Sequence, residues 1–107
     1  MLKVDVVIPS FEDKRVFEAI SSVYECDLQG VFLSIYVQIG GSSEQFKSMI
    51  AENFPDVVIG CEKDRNIFDG INLGLRKCSG DYILTIGSDD RIVDRSLFQK
   101  LVDFHNQ

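Results

Sequence analysis

Four short runs of strand-type residues recur along this 107-residue chain, each followed by a stretch with helical spacing. This alternation constrains the fold more than any other feature. The runs are KVDVVI at 3–8, FLSIYVQI at 32–39, DVVIG at 56–60 and YILTI at 82–86. Between them, apolar residues fall three and four apart, which is the repeat of one helical face. Val16, Phe17, Ile20, Val23 and Tyr24 mark a helix over 13–24. Phe46, Met49, Ile50 and Phe54 mark a second, and Ile67, Phe68, Ile71 and Leu75 a third over 67–77. Asp94 reads as the cap of a last helix with Leu97, Leu101 and Val102 on its buried side. Strands that alternate with helices predict a mainly parallel sheet covered on both faces. The fold class is therefore α/β, a Rossmann-like three-layer α/β/α arrangement, and 1–107 reads as a single domain.

The punctuation agrees with this division. Pro9 reads as the end of the first strand, and Gly30 as the turn residue before the second. In GGSSEQ at 40–45, Ser42 and Gln45 have capping-box spacing, so a helix starts there, and Pro55 stops it. Gly70 and Gly74 lie four apart, which permits close backbone packing at some expense in helix stability. No GxGxxG follows the first strand, so the dinucleotide fingerprint is absent.

Charge and cysteine content narrow the function. A net charge of -6 argues against nucleic acid as a partner, and against binding an anionic membrane through bulk charge. A phosphorylated ligand would need a divalent cation, a helix N-terminus or a few placed Lys and Arg. Three cysteines, Cys26, Cys61 and Cys78, form no CxxC pair, which argues against a disulfide scaffold or a zinc site and for reduced thiols. MLKVDVVIP is too short and polar for a signal peptide, and no apolar run reaches spanning length, so the chain is expected to be soluble with no transmembrane segment.

In open parallel sheets ligands bind beyond the carboxyl ends of the strands. That rule gathers the loops at 9–12, 40–43, 62–66 and 87–90. Asp89 and Asp90 are the sharpest feature there. Adjacent carboxylates repel each other, and a cation such as Mg²⁺ or Mn²⁺ would offset this while keeping sites for phosphate oxygens. The alternative is a solvated turn that leads into the next helix. Arg65, beside Asp64, could fork onto phosphate or stack on a base, or belong to a surface loop of mixed charge. Asp69 and Asn72, three apart near a helix start, could share a face or simply answer the helix dipole. His105 near the C-terminus reads as solvated, and Tyr24, Tyr36 and Tyr82 as core or sheet residues.

Three stretches together resemble a known family: VDVVIPSFED, ISSVYECD and EKDRNIFDGINLGLRKCSGDYILTIGSDD. They are similar, in register along the whole chain, to the nucleotide-sugar-binding half of the inverting family 2 glycosyltransferases, of GT-A fold. Members open on Ile-Pro-Thr-Tyr-Asn and carry Asp-Gly-Gly-Ser-Thr-Asp after the second strand. One branch continues with Glu-x-Asp-x-Gly-Ile-Tyr-Asp-Ala-x-Asn-x-Gly and Asn-Ser-Asp-Asp. The resemblance implies transfer of a sugar from a nucleoside-diphosphate sugar, UDP-sugar favoured, to an acceptor hydroxyl on a glycan or lipid-linked sugar. It implies that Pro9, Ser10, Glu12, Asp64, Arg65, Asp69, Asn72 and Asp89 shape the donor site. It implies further that Asp90, with Asp89, binds Mn²⁺ or Mg²⁺. The location it implies is cytoplasmic, or peripheral at the inner face of the membrane.

The departures from the family pattern are specific. Glu12 stands for the family's Asn, Ile39 for the Asp that commonly reads the base, Glu44 for a later Asp, Asn66 for a Gly, and Gly87 for the Asp or Asn that opens the metal motif. Family domains are longer, and their second half supplies the acceptor platform and the general base. The expectation is a truncated catalytic domain whose 107 residues alone do not transfer sugar. The competing reading is a degenerate nucleotide-binding module without catalysis. A receiver-type signalling domain would need paired acids after its first strand, where this chain has Pro9 and Ser10.

Overall fold

The computed structural model describes residues 1–40, 44–61 and 67–107, with residues 67 and 68 described by their backbone alone. Its elements follow the expected order: β1 (Leu2–Ser10), α1 (Val16–Tyr24), β2 (Val31–Ile39), α2 (Glu44–Asn53), β3 (Val58–Cys61), α3 (Ile67–Leu75), β4 (Tyr82–Thr85) and α4 (Leu97–His105). The strands form one all-parallel sheet in the order β3-β2-β1-β4.

β1 is central because its composition leaves no other place for it. Val4, Val6, Val7 and Ile8 are all fully buried, although neighbours along a strand point to opposite faces. Burying each such side chain contributes about 1.5–3 kcal/mol. On one face, Val4, Val6 and Ile8 join Ile35, Val37 and Ile39 of β2 in a cluster with Val16 and Ile20 of α1, Phe46 and Ile50 of α2, and Phe98 of α4. On the other, α3 covers β1 and β2. It lies close because Gly74 has no side chain: a Cβ there would stand 2.5 Å from Val7 Cγ1. The three-layer expectation holds, with three helices on one face and one on the other.

Three local expectations are corrected. Pro9 lies within β1, opposite Gln38, instead of ending it. Val7 O accepts the Ile86 N–H, and alternate residues point to the same side, so the ring nitrogen of Pro9 faces a region past the last β4 pair at Thr85. No ladder donor is lost there. α4 has Ser96 as its N-terminal flanking residue, and Asp94 precedes it. The Asp94 carboxylate accepts Ser96 N–H (3.0 Å), Ser96 Oγ (2.6 Å) and Lys100 Nζ (2.6 Å), forming a turn into the helix. The fully buried residue of α4 is Phe98, with Leu101 and Val102 packed partly against the core. Gly30 does take the left-handed turn conformation, at φ 76°.

β4 is anchored at its entry by a residue 74 positions away. Asp5, wholly buried on the α3 side, accepts the backbone N–H groups of Ser79 (2.8 Å) and Gly80 (2.6 Å) on Oδ2. Asp81 N–H donates to Lys3 O at 2.7 Å, and Lys3 N–H donates back to the Asp81 carboxylate at 2.9 Å.

Candidate functional site

A parallel sheet puts all its strand ends at one edge, and here Ser10, Ile39, Cys61 and Thr85 close β1, β2, β3 and β4. The order β3-β2-β1-β4 sets the loop after β1 beside the loop after β4. These two loops form the described part of the site.

The turn after β4 is closed by its own carboxylate. Asp90 N–H donates to Gly87 O at 3.1 Å, and Gly87 N–H donates to Asp90 Oδ2 at 3.0 Å. Both carboxylates fold back over residue 87. A Cβ on Gly87 would stand 2.8 Å from Asp90 Oδ2 and 2.9 Å from Asp89 Oδ1. The volume that an Asp or Asn side chain would enter is taken by oxygens of Asp89 and Asp90. Both residues are exposed, so two acceptor groups converge on one solvent-facing point.

The loop after β1 adds a charged pair. Asp13 accepts Arg15 Nε (3.0 Å to Oδ1), Arg15 Nη2 (2.7 Å to Oδ2) and the Arg15 backbone N–H (3.0 Å). The Arg15 side chain holds the Asp13 carboxyl below the usual carboxylate range, helped by the Arg15 backbone N–H and the Ser88 hydroxyl. Asp13 in turn raises the basicity of the Arg15 guanidinium, and Asp89 adds to this. Asp13 N–H also approaches Ser10 Oγ, at 3.4 Å. Glu12 is held at φ 55°, a left-handed conformation that Asn tolerates more readily than Glu.

Of the expected donor-site residues, Pro9 and Ser10 are buried at the end of β1, and Glu12, Asp89 and Asp90 are exposed in the two loops. α3 begins at the same edge and runs away from it. Asp69 stands half-buried in its first turn, and Asn72 is exposed about 4.5 Å further along the axis. Asp64, Arg65, Asn66 and Ser42 lie outside the described residues. Ile39 is fully buried in the core on the α1 side. The polar residue at the end of β2 is Gln38, on the α3 side, whose Oε1 accepts Lys77 Nζ at 2.9 Å across Gly60. Asp13, Arg15 and the 74% exposed Phe11 were not singled out by sequence reading. Their one signal was position, directly after a strand that ends at the ligand edge.

Among the described residues no group of three or more His, Cys, Asp or Glu is placed to hold a metal ion. Two convergent carboxylates suit Mg²⁺ or Mn²⁺, which bind one or two protein carboxylates and complete their shell with water and phosphate oxygens. A groove of about 440 Å³ runs elsewhere, between α1 and residues 91–95, and a smaller one of about 240 Å³ lies between Glu12, Lys14 and α2. No helix among the described residues is long and apolar enough to cross a membrane.

No family model matches the sequence, and no curated protein matches it. Solved structures do. S. aureus TarS 1-349 in complex with UDP-GlcNAc matches with a TM-score of 0.75 at 17% identity, over 98% of this chain and 31% of that one. The mannosyltransferase PcManGT from Pyrobaculum calidifontis, in complex with GDP-Man and Mn2+, matches with a TM-score of 0.75 at 21% identity, over 97% of this chain and 32% of that one. The chain spans about a third of the length of these structures. The likeness establishes a shared fold, and the GT-A resemblance read from the sequence holds at that level.

Proposed function

We propose that this chain is the donor-binding half of a metal-dependent glycosyltransferase, taking a nucleoside-diphosphate sugar at the carboxyl edge of its sheet. The observation that carries the reading is the convergence of Asp89 Oδ1 and Asp90 Oδ2 over Gly87, in a fold shared with structures bound to UDP-GlcNAc and to GDP-Man with Mn2+. Asp90 and Asp89 would hold Mn²⁺ or Mg²⁺, which offsets the charge that develops on a departing diphosphate. Pro9 and Ser10 border the nucleobase, with Phe11 exposed beside them to stack on it. Asp64, Arg65, Asp69 and Asn72 complete the donor pocket. UDP-sugar is the favoured donor and a glycan or lipid-linked hydroxyl the acceptor. The base that deprotonates the acceptor lies outside these residues. This activity implies a cytoplasmic site of action, or a peripheral one at the inner face of the membrane.

Calorimetric titration with UDP and GDP, each with and without Mn²⁺, tests the proposal. Metal-dependent binding that disappears in Asp90→Ala is the expected result. Binding of neither nucleotide at millimolar concentration would overturn it. A second reading, a nucleotide-binding module without catalysis, draws on Ile39: its side chain is fully buried, so position 39 offers no hydrogen bond to a base edge.

A further inference from the structure

The candidate donor site has an excess of acid. Glu12, Asp13, Asp89 and Asp90 all stand in the two described loops, in a chain of net charge -6. A divalent cation between Asp89 and Asp90 would cancel their charge and leave that of a bound diphosphate unmatched. Lys14 and Arg91 flank these loops as well, and among the described residues Arg15 is the cation there whose side chain a carboxylate holds in place. Asp13 grips the Nε and Nη2 side of its guanidinium with bonds of 2.7–3.1 Å, which leaves the Nη1 side out of the pair. A salt bridge this exposed and this local adds little stability, so its main effect is to orient the guanidinium. The parallel pairing of β1 with β4 aims that loop at Ser88 and Asp89.

Resting on the donor-site reading above, we infer that Arg15, oriented by Asp13, is a phosphate contact of this site, binding diphosphate oxygens through the guanidinium edge that Asp13 does not use. Arg suits the role because its planar fork binds phosphate in two-point fashion and stays charged.

The test compares nucleoside diphosphates with nucleosides. The chain is titrated with UDP, GDP, uridine and guanosine in saturating Mn²⁺, as wild type, Arg15→Gln and Arg15→Lys, with circular dichroism confirming an unchanged fold. Loss of one charge-assisted contact should weaken diphosphate binding about ten-fold in Arg15→Gln and leave nucleoside binding unchanged. Arg15→Lys should fall between. Diphosphate binding that is unchanged or tighter in Arg15→Gln overturns the inference, as does an equal loss for nucleosides. If Asp90→Ala abolishes diphosphate binding while Arg15→Gln leaves it unchanged, the donor site stands and this inference alone falls. If the wild type binds neither UDP nor GDP, both fall.

Discussion

The two ends of β4 are each tied by a carboxylate and a glycine, yet they serve different purposes. At the entry, Asp5 is wholly buried and accepts two backbone N–H groups, and a Cβ on Gly80 would meet Lys3 O at 2.9 Å and Asp5 Oδ2 at 3.0 Å. At the exit, Asp90 is exposed and accepts one N–H, and the atoms nearest a Cβ on Gly87 would belong to two side-chain carboxylates. The entry tie has fixed neighbours on every side and no access to solvent. Its Oδ1 finds no hydrogen-bond partner. The exit tie has partners that can swing outward. A buried carboxylate whose Oδ2 is engaged by two backbone N–H groups serves the fold, whereas an exposed pair that converges on solvent is available to a ligand.

The comparison breaks most easily at Asp5. Asp5→Ala leaves two part-buried N–H groups without their acceptor and should cost about 3 kcal/mol in urea unfolding. A loss below about 0.5 kcal/mol, the range of surface substitutions, would show that the entry tie is dispensable. Next comes Gly80→Ala. Its new methyl must displace backbone and a buried carboxylate, so the expected loss is about 1–3 kcal/mol. Gly87→Ala sharpens the contrast. Its stability change should stay within about 0.5 kcal/mol, while Mn²⁺-dependent nucleotide binding weakens because the carboxylates are pushed apart. Equal destabilisation by both alanines would erase the distinction.

The smallest effect concerns pH. The folded state lowers the Asp13 pKa, so this group contributes stability above the ordinary Asp pKa, near 4, and loses it as pH falls through the lowered folded value. Asp13→Asn should therefore shift the urea midpoint slightly downward at pH 7, and by progressively less as pH falls below the ordinary Asp pKa. A shift that does not shrink at any acidic pH where the protein stays folded would mean that the Asp13–Arg15 pair is not its source.

Much of this was legible before any coordinates. Strand and helix periods are local, so the element order and the loop ends could be read directly, and Asp89 and Asp90 stood out at the end of an apolar run. Other features were not legible because their partners are distant. Nothing near Asp5 announces that it will hold residues 79–80, and nothing near Arg15 points to Asp89. Ile39 illustrates a different limit. Sequence reading treated it as a missing polar ligand, but strand parity turns it into the core and leaves Gln38 on the other face. Phe98 was passed over for Leu97 because the start of α4 was read from Asp94 instead of Ser96.

By itself, then, the sequence determined the alternation of strands and helices, the parallel sheet that follows from it, and the edge where polar loops collect. All of these depend on local periodicity and on the need to bury both faces of β1. The order β3-β2-β1-β4 was decided only in the tertiary structure, because the closing of β4 on β1 depends on packing over a separation of more than 70 residues. That order sets Asp13 and Arg15 beside Ser88 and Asp89, and so determines which charges a ligand at this edge would meet.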